Sequence, residues 1–357
     1  MNKQRAWLLY GANGYTGRRI AEEARRRGLR PVLAGRDALK IKALAVRLGC
    51  PARGFPLRAV AHVAENLEGV CAVLNCAGPF SVTAGPMMDA CLAAGVHYLD
   101  ITGEIAVIEA AASRHQRAVA AGVSLIPAVG FDCVPSDCLA AMLAERLPGA
   151  THLQLAFRLT GPPSVGTAKT MLEALPRGGR ARIAGQIVRV PVAWKTKEIP
   201  FRDGRRMAVR VPWGDVASAW YTTGIPNVEV YLAMPAAQIR FLRRFGRLLP
   251  LLRPRGLQEV CRFWIDRFVR GATDQQAART RGSFWGCVTD SDGHSVEATL
   301  ETPGGYPLTV ATALASLERV LAGGVPPGFS TPAKAFGADM ILSIPGTSLK
   351  MPGRERA

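Results

Sequence analysis

Trp7-Leu8-Leu9-Tyr10-Gly11-Ala12-Asn13-Gly14-Tyr15-Thr16-Gly17 decides the reading of the fold. Four apolar residues form a short buried strand and run into three glycines spaced G-x-x-G-x-x-G. A helical pattern over residues 18–27 follows at once. Strand, glycine turn and helix in this order are the arrangement that holds a dinucleotide pyrophosphate. Gly11 serves the tight turn, Gly14 lets backbone approach the phosphates, and Gly17 lets the helix pack closely on the strand. Asn13, Tyr15 and Thr16 line the same turn. The first N–H groups of the helix lack intrahelical partners and can face an anion, assisted by the helix dipole.

The next apolar run, 31–34, ends about twenty residues past the glycines, where an NAD-preferring site carries an acid for the ribose 2′-OH. Gly35 and Arg36 stand there instead. A guanidinium pairs bidentately with a 2′-phosphate, which favours NADP. The plainer alternative is a solvated arginine beside Asp37.

Helical patterns at 39–48, 60–67, 85–94 and 105–121 alternate with strand patterns at 70–75, 96–100 and 123–129. Such alternation implies an α/β domain over 1–134, a Rossmann doubly wound parallel sheet covered on both faces. From 135 to 307 the pattern changes to an α+β domain with a largely antiparallel or mixed sheet. Its strands are expected at 153–159, 186–194, 207–211, 227–233, 282–289 and 295–302, with helices at 167–175, 236–252 and 256–269. Asp290-Ser291-Asp292-Gly293 reads as a hairpin turn. A helix at 308–321 opens a segment, 308–345, that can return to the first domain, and 346–357 reads as a loose tail.

The chain of 357 residues is 48% hydrophobic and 20% charged, a globular composition. No apolar run reaches the ~18 residues of a membrane span. Residues 1–5 lead straight into the first strand, leaving no room for a signal peptide, so the expected location is the cytoplasm. The eight cysteines form no C-x-x-C pair, which fits free thiols in a reducing compartment, and neither they nor the five histidines show a metal-binding spacing. The net charge of +18 suggests an anionic partner. Nucleic acid is disfavoured, because the basic residues lack interleaved stacking aromatics and no reading-helix motif occurs.

Several stretches carry candidate chemistry. Asn75-Cys76-Ala77-Gly78 follows a buried strand at the edge where open α/β sheets bind ligands, and is read as cofactor-contacting. Tyr98, Asp100 and Glu104 end the next strand, with helix capping and a site role both open. At the domain junction Phe131 is placed beside the nicotinamide. Asp132 reads either as an N-cap or as a site acid, and Cys133 as a small apolar filler. Ser164, Thr167 and Lys169 precede a helix and are candidate substrate contacts. Tyr221 is placed on a loop rich in hydroxyls and aromatics.

Between 239 and 255, Ile239, Phe241, Leu242, Phe245, Leu248, Leu249 and Leu252 interleave with Arg240, Arg243, Arg244, Arg247, Arg253 and Arg255, without an acid. A basic amphipathic helix of this kind can lie on an anionic membrane or dock an acidic carrier protein; a core-facing helix with a solvated basic side needs the same pattern.

Residues 10–17, 75–80, 95–104 and 130–137 resemble the saccharopine-dehydrogenase-like family, and within it the trans-acting enoyl reductase branch. Gly224-Ile225-Pro226-Asn227-Val228-Glu229-Val230-Tyr231 and Gly305-Tyr306-Pro307-Leu308-Thr309 are similar to that branch as well. The resemblance implies a Rossmann domain, a second mixed-sheet domain that often dimerises, and NADPH-dependent reduction of a C=C bond conjugated to a carbonyl. The substrate it implies is a lipid or polyketide-like acyl intermediate handed over by a separate synthase. Tyr98, Asp132 and Tyr221 are the candidates for enolate stabilisation and proton donation. Two alternatives stand beside this: an imine-reducing amino-acid dehydrogenase, for which no clamp-arginine pair is assignable, and a non-catalytic, membrane-associated nucleotide-binding protein.

Overall fold

A computed structural model describes residues 6–159, 172, 176, 178–191, 193, 195–252, 254–268, 280–351 and 354–356. The chain divides into two compact units, 1–134 with 308–337, and 135–307 with 338–357. In chain order the strands are β1 (Trp7–Tyr10), β2 (Val32–Gly35), β3 (Ala52–Gly54), β4 (Ala72–Asn75), β5 (His97–Asp100) and β6 (Ser124–Ile126). There follow β7 (His152–Leu159), β8 (Gly179–Ile183), β9 (Gln186–Val190), β10 (Thr196–Phe201), β11 (Gly204–Arg210), β12 (Asn227–Ala233), β13 (Arg281–Thr289) and β14 (Ser295–Pro303). The last are β15 (Gly328–Phe329), β16 (Ser348–Met351) and β17 (Arg354–Arg356).

The first unit holds a seven-stranded sheet in the order β15-β6-β5-β4-β1-β2-β3, with every pairing parallel. The order reverses between β1 and β4, where a doubly wound sheet opens a crevice at its carboxyl edge. Alternate residues of the strands feed two cores, as the two-residue period of a strand requires. Leu8, Tyr10, Val73, Tyr98 and Leu125 pack with Met87 and Val107 in one core. Trp7, Leu9, Leu33, Leu74, Leu99 and Ile126 pack with Ile20 and with Leu314 and Leu317 in the other. The helix Gly305–Ala322 thus supplies part of the first unit's core, and β15 extends its sheet beside β6.

The second unit is built on a mixed ten-stranded sheet with the path β10-β11-β12-β7-β13-β14-β16-β17, while β8 pairs with β12 and β9. β12 and β7 are parallel; β13 and β14 form the expected hairpin, with Thr289 opposite Ser295. The helix Val134–Arg146 lies close on this sheet: a Cβ at Gly286 would come within 2.6 Å of Leu143 Cδ1.

Several local expectations are corrected. The helix expected from residue 85 begins at Phe80, and the single helix expected over 105–121 is two, Ile105–Ala112 and His115–Ala120. Tyr221, placed on a loop by the sequence of residues 220–227, lies instead in the helix Asp215–Thr223. The helix expected over 236–252 is an α-helix only over Ala236–Phe245 and continues as a tighter 3-10 helix over Gly246–Leu252. In place of a loose tail, Ser348–Met351 pairs antiparallel with β14. β3, β8, β10 and β15 were not expected at all. The helix expected at 167–175 lies outside the described residues.

Candidate functional site

The carboxyl edge of the first sheet brings together the ends of β1, β4 and β5, with Tyr10 opposite Asn75 and Asn75 opposite Asp100. Gly11 leaves β1 at φ +79°, in the left-handed region that favours glycine. Its N–H and that of Ala12 donate to Ala34 O at 2.8 and 3.1 Å, tying the turn to β2. A Cβ at Gly11 would fall 2.7 Å from Ala77 N, and one at Gly17 would fall 2.3 Å from Gly11 O. Gly14 meets only Gly11 O, at 3.2 Å, and otherwise faces open space. Two glycines therefore seat the helix Tyr15–Arg26 against the turn, and the third leaves a bare surface above it. Gly14 is also the N-cap of that helix and has no side chain with which to close its first turn. Asn13, Gly14 and Tyr15 are exposed around this opening, and Thr16 is partly so.

At the end of β2, Gly35 lets a neighbour in: a Cβ there would sit 3.2 Å from Asn13 Oδ1. Arg36 is exposed directly after it. Its sequence neighbour Asp37 is engaged elsewhere, accepting from Lys40 N at 3.1 Å as the cap of the helix Ala38–Leu48 and pairing with Lys40 Nζ at 3.3 Å. These residues fit a dinucleotide with a phosphate at the end of β2.

The loop after β4 is organised by buried Asn75. Its Oδ1 accepts from Ala77 N at 3.0 Å, and its Nδ2 donates to Thr83 Oγ1 at 3.4 Å and Tyr98 Oη at 3.3 Å. The Gly78–Pro79 peptide bond is cis. Asn75 has no exposed surface, so it shapes the loop from beneath, while Ala77 and Gly78 reach the surface. Burial pushes the Cys76 thiol far above its ordinary range, and with it any thiolate chemistry is removed.

Glu104, for which the sequence leaves a place at the helix start and a site role both open, reaches beyond its own helix. It stands at the N-cap of the helix Ile105–Ala112 and sends its carboxylate across the edge, accepting from Phe80 N at 3.0 Å and Ser81 N at 2.9 Å. The start of the helix Phe80–Ala94 is thereby closed by an internal anion. The start of Tyr15–Arg26 is not closed in this way by its N-cap residue.

Asp100 is fully buried. It accepts from Tyr98 Oη at 2.7 Å, Thr102 N at 3.0 Å and Ala128 N at 2.9 Å. The last bond holds Ala128 at φ +63°, an unusual conformation for a residue with a Cβ. Burial pushes the Asp100 carboxyl up to about 6 against these donors. Tyr98, proposed from sequence as a proton donor, has no exposed surface, and its hydroxyl is committed to Asp100; it positions the edge and does not face a substrate. Burial, joined by the Asp100 charge, lifts the Tyr98 phenol well above its usual value.

Asp132, unlike Tyr98, keeps some exposed surface. It is half-buried, and burial pushes its carboxyl up to about 6. Its side chain lies on Gly103, where an added Cβ would come within 2.9 Å of Asp132 Cβ and 3.0 Å of Oδ2. Phe131, read as a nicotinamide neighbour, is only 4% exposed and offers little surface; its N–H donates to Thr309 Oγ1 at 3.1 Å. Thr309 was not singled out from the sequence, since its partner lies far away along the chain.

In the second unit Tyr221 is half-buried, edge-on to Trp220 with ring centroids 4.8 Å apart, and Arg182 lies over the Trp220 ring at 4.3 Å. Ser164, Thr167 and Lys169 lie outside the described residues. On the β13–β14 turn Asp290, Asp292 and His294 approach one another, but Asp290 already accepts from Asp292 N, His294 N and His294 Nδ1, the hydrogen bonding of a closed turn. No helix among the described residues is long and apolar enough to cross a membrane.

Residues 7–126 match the saccharopine dehydrogenase NADP binding domain, the stretch that contains the glycine turn, Arg36 and the Asn75 loop. Residues 7–126 thus carry a saccharopine dehydrogenase NADP binding domain. NADP is the cofactor of that domain, in agreement with an arginine where an NAD site has an acid. A protein of Mycobacterium tuberculosis provisionally named a trans-acting enoyl reductase is 31% identical over 267 residues, covering 68% of this chain and 61% of its own length. The trans-acting enoyl reductase of Mycobacterium bovis is 35% identical over 147 residues, 39% of this chain and 35% of its own. The matched stretches thus span about three fifths or less of these relatives. Among solved structures, the L-Glu-forming saccharopine dehydrogenase of Saccharomyces cerevisiae superposes with a TM-score of 0.67 at 13% identity, over 99% of this chain and 100% of that one. The chain therefore shares the fold of that enzyme at a sequence identity that speaks only for fold.

Proposed function

We propose that the protein is an NADPH-dependent reductase of a carbonyl-conjugated C=C bond in a lipid or polyketide-like acyl intermediate, acting in the reducing cytoplasm. The observation that carries the proposal is the half-buried carboxyl of Asp132, held near neutrality at the same sheet edge as a glycine turn shaped for NADP. The names of the mycobacterial relatives support the reaction type. The eight cysteines, all present as free thiols, support the compartment.

NADPH supplies a hydride when bound. The chain's own work is to hold it and to handle a proton. Backbone at Gly11, Gly14 and the first turn of Tyr15–Arg26 would receive the pyrophosphate, Arg36 the 2′-phosphate, and Ala77 and Gly78 the ribose side. Saturating the double bond requires one hydride at the β-carbon and one proton at the α-carbon. Asp132 is the proton donor in this reading, since an acid with a pKa of about 6 is partly protonated near neutral pH. Asn75, Tyr98 and Asp100 position the loops around it. An acyl chain on a carrier is the candidate form of delivery.

The test is NADPH consumption by the purified protein with a crotonyl thioester, compared with an aldehyde plus glutamate, and the products identified by mass spectrometry. The expected product is the saturated thioester. Turnover confined to the aldehyde and glutamate mixture would replace the proposal with imine reduction.

A further inference from the structure

In the second unit, the helix Ala236–Phe245 carries three stripes where a simple surface helix carries two. At 3.6 residues per turn, Ile239 and Leu242 share one side, and both pack on Val209, Val211 and Met234. Arg240, Arg243 and Arg244 share another side and are exposed. Phe241 and Phe245 share a third; Phe241 is 60% exposed, and the two rings meet in a tilted contact with centroids 4.8 Å apart, away from the core side. The 3-10 helix Gly246–Leu252 continues the exposed apolar surface with Leu248 and Leu251.

The helix Arg255–Phe268 extends the theme. Leu257, Val260, Trp264 and Phe268 recur at helical spacing on one face, with Phe263 beside them, and that apolar face points outward. Phe263 is 66%, Trp264 55% and Phe268 62% exposed. Trp264 and Phe268 stack at 4.9 Å, and Arg267 lies over Phe268 at 5.7 Å. Core packing accounts for Ile239 and Leu242; it does not account for an outward face of this size, which on a soluble surface marks an interaction site.

Charge selects the occupant. From residue 236 to residue 268 the sequence has eight arginines against Glu259 and Asp266, and it is free of acids from 236 to 258. A second copy of the chain would set arginines against arginines. An acidic protein would satisfy the arginines but would need a matching groove for aromatic side chains spread over two helices. A bilayer surface accepts both, with anionic headgroups for the arginines and the acyl boundary for Trp and Phe, and it needs no shape match. Arg253 lies outside the described residues. We propose that residues 236–268 form a docking surface for an anionic phospholipid bilayer, lying in the headgroup plane without crossing it. This inference stands apart from the redox reading, because vesicle binding is measured without NADPH or substrate.

The test is flotation of the full chain with vesicles of phosphatidylcholine alone or of phosphatidylcholine mixed with phosphatidylglycerol. Binding is expected only to the mixed vesicles and should weaken as salt rises. The triple variant Arg240→Glu, Arg243→Glu, Arg244→Glu should lose at least roughly a hundredfold in partitioning, since each basic residue near an anionic surface contributes about a fivefold factor. The double variant Phe263→Ser, Trp264→Ser should lose at least about tenfold while its circular dichroism and melting temperature are kept, which separates docking from misfolding. Absence of binding to the mixed vesicles overturns the proposal. So does equal binding by both variants, or self-association of the parent chain that Phe263→Ser, Trp264→Ser abolishes in the absence of lipid.

Discussion

In the first unit, Asp100 is surrounded by two backbone N–H groups and a phenol, and its carboxyl rises to about 6. In the second, burial also raises Glu229, yet its neighbours outweigh burial: Lys195 at 2.8 Å, Tyr231 at 2.7 Å, Arg210 at 3.0 Å and Gln154 at 3.0 Å bring it down to about 2. The difference lies in the charge of the donors. Neutral donors satisfy hydrogen bonds without repaying the cost of a buried charge, whereas cations do repay it. Buried carboxyls at the first unit's sheet edge can therefore exchange a proton near neutral pH, and the carboxyl in the second unit's sheet is fixed as an anion. This is why Asp132, also raised to about 6, is placed in the chemistry and Glu229 in the scaffold.

The contrast can be broken in several ways. Replacing Asp132→Asn should lower kcat by a hundred- to ten-thousandfold with NADPH affinity kept, the range typical of a lost general acid. A loss below tenfold would return Asp132 to a capping role. Next in size is Glu229→Gln, which leaves Lys195 and buried Arg210 facing a neutral amide; unfolding titrations should show a loss of about 3–5 kcal/mol.

The pH dependence of stability should differ in sign between the two. Asp100 and Asp132 bind their protons more tightly when folded, so stability falls as pH rises from about 4 to about 6, by of order 3 kcal/mol for a two-unit shift. Glu229 contributes stability that is present above its unfolded value of 4.5 and is lost as pH falls toward about 2. Melting curves of Asp100→Asn should show a flatter slope between pH 4 and 6, and an unchanged slope there would refute the assignment.

Arg36 sharpens the same comparison, because it is a cation kept outside at the strand end. Arg36→Ala should weaken NADPH by roughly tenfold or more, as expected for a charge-assisted bond, and leave NADH almost unchanged. Equal losses by calorimetry would reject it as the 2′-phosphate partner. The smallest effect belongs to Glu104→Ala, which uncaps Phe80 N and Ser81 N and should cost about 1–2 kcal/mol.

The first unit was legible because parallel strands buried on both faces read as continuous apolar runs, and because Gly11, Gly14 and Gly17 announce their turn locally. What escaped was non-local or punctuated. Glu104 caps a helix 24 residues earlier in the chain, and Thr309 meets Phe131 across 178 residues, so spacing carried no trace of either. Gly85 and Pro86 disguised the first turns of Phe80–Ala94. In the second unit β8 and β10 were hidden by arginines and by Pro200, and the hydroxyls and aromatics from residue 220 onward made the end of the helix Asp215–Thr223 look like a loop. Tyr98 shows the limit of motif reading: its place at the edge was foreseen, while its burial beneath Asp100 depends on packing.

The first sheet takes its last strand and one covering helix from residues beyond 307, and Thr312 Oγ1 donates to Val129 O at 2.8 Å as part of that closure. During vectorial synthesis on the ribosome the nucleotide platform must therefore wait, unfinished, until residues 308–329 have emerged. Residues 1–134 therefore cannot complete their unit ahead of the segment that follows residue 307. A nascent chain halted before residue 329 would leave β6 an open edge, a ready target for chaperones and a poor holder of dinucleotide.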